Sequence, residues 1–397
     1  MSLFERIPAL RWTVPAVTAL ALVGGGAAVG GLRAIAGDGL PARTAAQLLV
    51  DVQKARLDGL SGTVFQKSDF GLPDLPVAGA SGGTGSSSLT SLLSGTHTMR
   101  VWFAGPDKAR MALLGTLGES DVIHNGQDVW VWASQEKTAK HYLMPAHDAT
   151  GKSPRAPGAS GVPTPSDLPT TPQAAAERAL AAITPSTEVT TSGTATVAGR
   201  SAYELVLKPK DARSLVDQVR VAIDGVKHVP LRVQVFAKSV TDPVFEVAFN
   251  AVDFARPDAA QFTFKPPPGT TVTDSAVPTH QPPAAGSKTN AIPPQPSSAG
   301  MPKVIGTGWT SVVVVTIPAP SATTGGRTGT TGAPGATADQ SMAQLMKFVG
   351  HLPKKSGSWG SGHLMAGTAF SVLLTGDGRL VIGAVTPGAL YAALAGS

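Results

Sequence analysis

The chain has 397 residues, of which 42% are hydrophobic and only 15% are charged, and its formal net charge is +6. It contains no cysteine, which excludes disulfides, a thiol nucleophile, thiolate metal ligands and lipid modification of an N-terminal cysteine. The basic residues form no block with interleaved aromatics, so nucleic acid is not an expected partner, and the charge fits either solubility or attraction to anionic membranes.

The N-terminal segment has the pattern of an export signal. Arg6 and Arg11 precede an uncharged run from Trp12 to Leu32, which is about as long as one membrane span. Ala34-Ile35-Ala36 offers a cleavage site, but the length of the run fits an uncleaved anchor equally well. Residues 1–36 are therefore predicted to be a signal peptide or an N-terminal membrane anchor. Either form exports the chain, to the extracytoplasmic face of the cytoplasmic membrane or as a secreted or periplasmic protein.

A first domain is predicted over residues 42–275. It opens with an amphipathic helix from Ala42 to Leu57, in which apolar residues recur at helical spacing after a capping Thr44. A first strand follows from Ser61 to Gln66. The Gly/Ser/Pro-rich stretch 72–95 then predicts a mobile surface loop.

Short β-rich segments separated by turn signals fill the next part of this domain. They are predicted at 98–104, 109–114, 121–124, 127–134 and 140–143. In the fourth segment Val129 and Val131 alternate with Trp130 and Trp132, so this strand is apolar on both faces. One face can meet the helical cover of the sheet, and the other needs a second core or another occupant.

The second half of the domain follows a Pro/Ser/Gly-rich linker at 152–171. A helix is predicted from Thr171 to Ile183, and strands follow at 188–197, 201–208, 219–223, 231–235 and 245–249, with a last apolar pair at Phe262 and Phe264. Consecutive short strands with tight turns favour an antiparallel meander over a βαβ fold. About ten such strands would curl, and helices covering one face would leave a concave surface.

Residues 276–302 are predicted to be a Pro-rich linker, and 303–397 a small α+β domain. This second domain combines a Val-rich strand at 311–317, a hairpin around Gly376-Asp377-Gly378 and a terminal helix after Thr386-Pro387. Between them, a short amphipathic helix is marked by Met342, Leu345, Met346 and Val349.

Three stretches of the first domain resemble the LolA lipoprotein-carrier family. The run from Gln261 to Val272, with Phe262-Thr263-Phe264 before three prolines, is similar to that family's closing signature. The run from Val122 to Trp130, with Asn125-Gly126 before a Val-Trp strand, resembles its central hairpin. Trp102 with Gly105-Pro106 resembles the strand and turn before that hairpin.

Two other stretches resemble the MucB/RseB regulators, whose large domain shares the LolA fold. They are Ile223-Asp224 followed by Val229-Pro230-Leu231-Arg232-Val233, and the tail from Leu380 to Leu394, which looks like the small C-terminal domain of RseB. Together the resemblances imply an α+β fold class: a LolA-like open (half) antiparallel β-barrel with covering helices, plus a small α+β C-terminal domain. The Gly/Ser loop, the N-terminal run and the linkers are additions to the carrier pattern.

No arrangement of residues predicts catalysis, a cofactor or a metal site. The eight histidines include no His-x-His and no His-Glu-x-x-His pattern. Gly79-Ala80-Ser81-Gly82-Gly83 fits G-x-S-x-G formally, but it lacks the preceding strand and following helix of a nucleophile elbow. The chain is therefore predicted not to be an enzyme.

Binding of an apolar ligand has a better physical basis. Large aromatic side chains lie on predicted strands of one curved sheet, and six are predicted to line a hydrophobic groove: Trp102, Phe103, Trp130, Trp132, Phe245 and Phe249. The alternative is that they only fill the core between the sheet and its helices, and the sequence does not say which face is concave. The resemblances imply a carrier or sensor that binds a lipid or a lipoprotein acyl chain. They leave open a second function, an RseB-like regulator that acts on a sigma factor by binding a membrane anti-sigma factor.

Overall fold

The computed structural model describes residues 40–71, 87, 91–92, 94–144, 184–276, 303–316 and 349–395, together with the backbone of 26–28. Most of the regular structure is β-strand. The larger of two sheets contains β1 (Gly26–Ala28), β2 (Leu60–Ser68), β3 (Gly95–Phe103), β4 (Lys108–Leu114), β5 (Glu119–Asn125), β6 (Asp128–Ala133), β7 (Thr138–Leu143), β8 (Thr184–Val197), β9 (Arg200–Pro209), β10 (Val216–Asp224), β11 (Pro230–Ala237), β12 (Pro243–Asp253) and β13 (Thr271–Ala276).

The larger sheet is open. Its order is β1-β8-β9-β10-β11-β12-β2-β3-β4-β5-β6-β7-β13, and its two end strands are not paired with each other. Strands β2 to β7 form one antiparallel meander, β8 to β12 form a second, and the pairing of β12 with β2 joins the two. Gly126 and Gly199 occupy hairpin turns with φ of 66° and 72°, a conformation that favours glycine.

Two features differ from the predicted meander. The end strands β1 and β13 pair in parallel with β8 and β7. Phe262 and Phe264 form no strand, because the chain makes a 3-10 turn at Ala259–Phe262 and then an extended loop. The Asp258 side chain caps this turn by accepting a hydrogen bond from the Ala260 amide at 2.8 Å, and three consecutive prolines after Lys265 supply no amide for a ladder.

One face of the larger sheet, called here the inner face, carries helix α1 (Ala45–Lys54). The helix begins with a capping box: the Thr44 amide donates to Gln47 Oε1 at 2.9 Å, and the Gln47 amide donates to Thr44 Oγ1 at 3.2 Å. Leu48 is 0% exposed and joins one core cluster with residues from both meanders: Val64, Met99, Val101, Val189, Leu207 and Val233.

The inner face is concave. Strand β8 contacts β12 although three strands separate them in the sheet, so the sheet curls around the side that carries α1. The opposite face, called here the outer face, is therefore convex. The helix predicted at 171–183 lies outside the described residues, so α1 is the described cover of the inner face.

The second sheet has six strands, in the order β14-β15-β19-β18-β17-β16. They are β14 (Lys303–Ile305), β15 (Val312–Thr316), β16 (Lys354–Gly357), β17 (Gly360–Ala366), β18 (Ser371–Thr375) and β19 (Arg379–Gly383). Helix α2 (Pro387–Ala395) covers one face, where Leu390 and Leu394 pack against Val381 and Leu373. A 3-10 turn at Gly308–Thr310 precedes β15.

The two sheets are joined by a buried tryptophan. Trp309 is 4% exposed and belongs to the core cluster of the larger sheet. Its Nε1 donates a hydrogen bond to Thr187 Oγ1 on β8 at 2.6 Å. The Leu215 amide also donates to the Ala384 carbonyl at 2.9 Å. The second sheet with α2, called here the second domain, thus packs against the larger sheet.

Several predicted segments lie outside the described residues. They are 1–36 except for the backbone of 26–28, most of the loop 72–95, the linker 152–171, the linker 276–302 beyond residue 276, and the short helix predicted around Met342 to Val349 except for Val349. Among the residues that are described, no helix is both long and apolar enough to cross a membrane.

Substitutions at Trp309 test the docking of the second domain. We expect Trp309→Ala to lower the free energy of unfolding by about 3–5 kcal/mol, because it leaves a cavity in the main core. Trp309→Phe should cost about 1–2 kcal/mol, since it keeps a ring but removes the bond to Thr187. Urea unfolding of the full chain measures both.

The control is Val226→Ala, at a side chain that is 72% exposed, which should change stability by no more than about 0.5 kcal/mol. If Trp309→Ala were as mild as this control, the second domain would not share the core of the first.

Candidate functional site

The six predicted groove residues lie on one sheet but on two opposite faces. Trp102 and Phe103 are consecutive on β3, so their side chains point to opposite sides. The strand register extends these directions across the sheet: Phe103, Phe245 and Phe249 lie on the inner face, and Trp102, Trp130 and Trp132 lie on the outer face. A single groove can be lined by only one of these sets.

The chain itself covers the β6 tryptophans. After β12, residues 254–270, called here the crossing segment, contact β4 and β5 on the outer face. The ring of Phe264 lies 5.3 Å from that of Trp130 and 5.9 Å from that of Trp132. Phe262 is 1% exposed. A second core of the kind that the sequence allowed therefore lies on the outer face.

A buried ion pair lies beneath the crossing segment. Arg110 Nη2 donates to Asp121 Oδ2 at 2.6 Å, and Arg110 Nη1 donates to the Gln261 carbonyl at 3.4 Å. The Asp121 side chain is 1% exposed. This burial raises the pKa of the Asp121 carboxyl, although the charge of Arg110 opposes the shift. The pair thus connects β4, β5 and the crossing segment at one place.

Trp102 lies at the edge of the same core, between two cations. The guanidinium carbons of Arg100 and Arg110 are 6.0 and 5.2 Å from its ring centroid. Such contacts are favourable because the ring face carries partial negative charge. Trp102 is half-buried by these neighbours, so the chain's own side chains occupy much of its surface.

A histidine on β7 connects β6 to β13, the strand that follows the crossing segment. His141 on β7 lies between Asp128 on β6 and Asp274 on β13, with Nε2 2.8 Å from the first carboxylate and Nδ1 3.1 Å from the second. Its ring stacks on Trp130 at 4.2 Å. The hydrogen bond to Asp128, with that to Asp274, raises the pKa of His141, because two carboxylates stabilise the imidazolium.

The inner-face phenylalanines take different parts in the main core. Phe245 stacks on Phe70 at 6.2 Å, and Phe70 meets Phe370 of the second domain edge-on at 5.5 Å. Phe249 lies over Gly62, where an added Cβ would come 2.8 Å from its ring. Both are partly buried against the core cluster. Phe103 is half-buried at the end of β3.

At the edge of the main core, where Met111 packs against the cluster of buried residues, the inner face continues with apolar residues. Met111, Val122 and Val131 are aligned across β4, β5 and β6, and Val129 shares their face. All four are half-buried, and the valines belong to none of the clusters of buried residues in the described chain. We call these four residues the open inner face. The row continues on β7 with Lys140, which is exposed.

Sequence reasoning chose groove residues by aromatic size, so its set does not include Met111 or the three valines. The alternation of Val129 and Val131 with two tryptophans was the available signal. It could not distinguish the covered face from the open one, because the cover comes from residues more than a hundred positions later in the chain.

Other features of the described chain are weaker candidates for a binding site. A cleft at the junction of the domains is lined by charged and polar residues, among them Lys67, Asp69, Lys238 and Asp242. It lies away from the open inner face, and its mixed charges do not suit an apolar ligand. Within the described ranges, no group of three or more His, Asp or Glu side chains is arranged for a metal ion.

Neither a family model nor a curated protein matches the chain. Among solved structures, the MucA/MucB complex of Pseudomonas aeruginosa is similar at 14% identity, over 88% of this chain and 96% of that one, with a TM-score of 0.40. An uncharacterized conserved protein from Thermus thermophilus is similar at 12% identity, over 58% of this chain and 98% of that one, with a TM-score of 0.31.

A LolA superfamily protein from Nitrosomonas europaea is similar at 10% identity, over 56% of this chain and 98% of that one, with a TM-score of 0.21. These chains are similar to the present one and include a MucA/MucB complex and a LolA superfamily protein. At such identities and TM-scores they assign no ligand, partner or site residue to this chain.

The contact of His141 with two carboxylates makes the stability depend on pH. Because the folded-state pKa is raised, the stabilisation is complete below the unfolded pKa of about 6.5 and is lost as the pH rises through the folded value. We expect His141→Gln to lower the free energy of unfolding near about pH 5.5 and to have less effect near about pH 9. The difference should be at most about 1 kcal/mol, because Asp128 and Asp274 are 51% and 83% exposed.

Urea unfolding at several pH values measures this difference. His124→Gln is the control, since His124 Nε2 bonds the Gly126 carbonyl of its own turn and faces no carboxylate in the described contacts. An equal loss of unfolding free energy at both pH values in His141→Gln would contradict the proposed charge on His141.

Proposed function

We propose that this protein is a non-enzymatic binder of a lipid, an acyl chain or a lipidated protein, which it holds on the open inner face as a carrier or sensor. The observation that carries the proposal is a row of apolar side chains on the concave face of the sheet, beyond the edge of the main core. Soluble proteins rarely leave such a surface without an occupant.

The energetics suit an acyl chain. Each buried CH₂ contributes about 0.8 kcal/mol, so a chain of about sixteen carbons gains on the order of 12 kcal/mol before the costs of association. The four side chains of the open inner face are Met111 and three valines, which suits a flexible hydrocarbon. The exposed Lys140 at the end of the row would meet the acidic or phosphate end of a lipid.

The proposal includes export. It is supported by the two arginines before the uncharged run from Trp12 to Leu32, which is the order of charge and hydrophobicity in an export signal. An extracytoplasmic location would bring the open inner face to acylated molecules at the membrane surface.

Regulation of a sigma factor is the second proposal. It is supported by the docking of the second domain into the core of the first, through Trp309 and through the ring contacts of Phe245, Phe70 and Phe370. A ligand bound on the inner face would then be connected through this packed core to the second domain. The partner would be the outer segment of a membrane anti-sigma factor.

Substitutions on the open inner face test lipid binding. The probes are a palmitoylated peptide and the same peptide without its acyl chain, with binding measured by native mass spectrometry and fluorescence. We expect the wild type to bind the acylated form only. Val131→Asp should weaken binding by about tenfold or more, because a desolvated carboxylate would face the chain. Val131→Trp should weaken it by filling the space.

The matched control is Leu117→Asp, at a side chain that is 83% exposed in the turn between β4 and β5, and it should bind like the wild type. Urea unfolding of each variant shows that the fold is retained under the binding conditions. Failure of the wild type to bind either the acylated peptide or co-purifying lipid would overturn the proposal. Equal binding by wild type and both Val131 variants would place the ligand elsewhere.

Affinity capture from detergent-solubilised membranes, with the full chain and with or without the palmitoylated peptide, separates the two proposals. A regulator should retain one membrane protein that has an anti-sigma segment, and the acylated peptide should change the amount retained. A carrier should show no such ligand-dependent partner.

A further inference from the structure

The acidic side chains of the strands around the open inner face all point away from it. In β4 to β7 and β13 the strand register places every acid on the outer face of the sheet: Glu119, Asp121, Asp128 and Asp274. Three of these acids pair with basic side chains of that face. The inner-face positions of these five described strands therefore hold no carboxylate.

The same strands place a single lysine on the inner face. Lys140 lies on β7, directly opposite Val131 of the open inner face and opposite Thr273 of β13. Lys108 and Arg110 occupy outer-face positions on β4. Lys140 is exposed and takes part in none of the ion pairs among the described residues. Its charge thus faces the inner side without a counterion from the described part of the chain.

Hydroxyl groups surround this lysine on the inner face. Tyr142 and Thr138 lie two residues to either side of Lys140 on β7, so they point the same way at about 7 Å along the strand. Thr273 is its neighbour on β13. An ammonium and hydroxyls can all donate hydrogen bonds. We call Lys140, Tyr142, Thr138 and Thr273 the polar strip.

The inner face therefore changes from apolar to polar in one direction. From β4 to β7 one row of directly opposed residues runs Met111, Val122, Val131 and Lys140. The row begins at the main core, against which Met111 packs, and three strand spacings, about 14 Å, separate its two ends. The neighbouring row ends in the same way, with Val129 opposite Tyr142. A ligand on this face would meet hydrocarbon at one end and donors with a positive charge at the other.

The position of Lys140 has no other explanation in the sheet. Lysines often protect the edge of a sheet against pairing with another chain. Strand β7 is not an edge, because β13 pairs with it and forms the end of the sheet instead. A pairing role within the protein is also excluded for the described residues, since the acids of these strands lie on the opposite face.

We infer that the ligand is an anionic lipid, bound with its hydrocarbon chain along the open inner face and its phosphate or carboxylate at the polar strip. This inference rests on the proposed function and narrows its ligand class. Lys140 supplies the opposite charge, and Tyr142 and Thr273 donate hydrogen bonds to the oxygens of the anion. The lack of inner-face carboxylates removes a repulsion against an anion, and it leaves no partner for the amine of a zwitterionic head group.

Probes that share one palmitoyl chain test the head-group preference. Palmitate and palmitoyl-lysophosphatidylglycerol are anionic, palmitoyl-lysophosphatidylcholine is zwitterionic and monopalmitoylglycerol is neutral. Binding of each to the full chain, below the concentration at which it forms micelles, is measured by isothermal titration calorimetry. We expect the anionic probes to bind at least about fivefold more tightly than the other two at low salt. This preference should shrink at high salt, because added ions screen exposed charges. The tighter of the two anionic probes identifies the anion as a carboxylate or a phosphate.

Substitutions at Lys140 assign the preference to the polar strip. Lys140→Gln should weaken binding of the anionic probes by about threefold to tenfold and leave the neutral probe unchanged, because it removes only the charge. Lys140→Arg keeps the charge and should keep the preference. The matched control is Lys108→Gln, which removes a charge from the outer face of the same sheet and should change the binding of no probe.

The outcomes distinguish this inference from the proposed function. Equal binding of anionic and neutral probes by the wild type would overturn the inference and leave acyl-chain binding in place. An equal loss for all four probes in Lys140→Gln, or the same loss in Lys108→Gln, would also overturn it, because the charge would then not act at the polar strip. Binding of the palmitoylated peptide but of none of the four probes would overturn the inference alone. Failure of that peptide as well would overturn the proposed function.

Discussion

The structure depends on one constraint: strands that are apolar on both sides need a cover on each side. Successive side chains of a strand point to opposite faces, so a sheet whose strands have apolar residues at consecutive positions has two apolar faces. In the larger sheet, α1 and Trp309 cover the inner face of β8 to β12 and of β2 to β4, and the crossing segment covers the outer face of β4 to β6. The inner face beyond β4 is left with half-buried valines. The function proposed for the protein concerns that remaining surface.

The outer face is covered through both apolar packing and polar contacts. Phe262 and Phe264 supply the packing. The Arg110–Asp121 pair connects the crossing segment to the sheet, and His141 holds β13 through Asp274. The buried pair fixes geometry more than it adds stability, because desolvation of both charges offsets their attraction. The pair at His141 is more exposed and correspondingly weaker.

The second domain is joined to the first by side chains of the core as well as by the chain between them. Trp309 lies among the residues that α1 also contacts, and Phe70 touches Phe245 on one side and Phe370 on the other. The backbone bond from Leu215 to Ala384 adds a third connection. The larger sheet and the second domain are therefore in continuous contact, and the proposal of a regulatory function uses that contact.

Local pattern alone determined the strands, most of their turns and the first helix with its Thr44 cap. It did so because these features depend on neighbours only a few residues apart. The tertiary structure decided which face of each strand became core and which stayed open. Trp130 and Trp132 pack under Phe264, while Val129 and Val131 remain half-buried. Nothing near β6 in sequence specifies this, because the curl of the sheet and the path of the crossing segment bring distant residues together only in the folded chain.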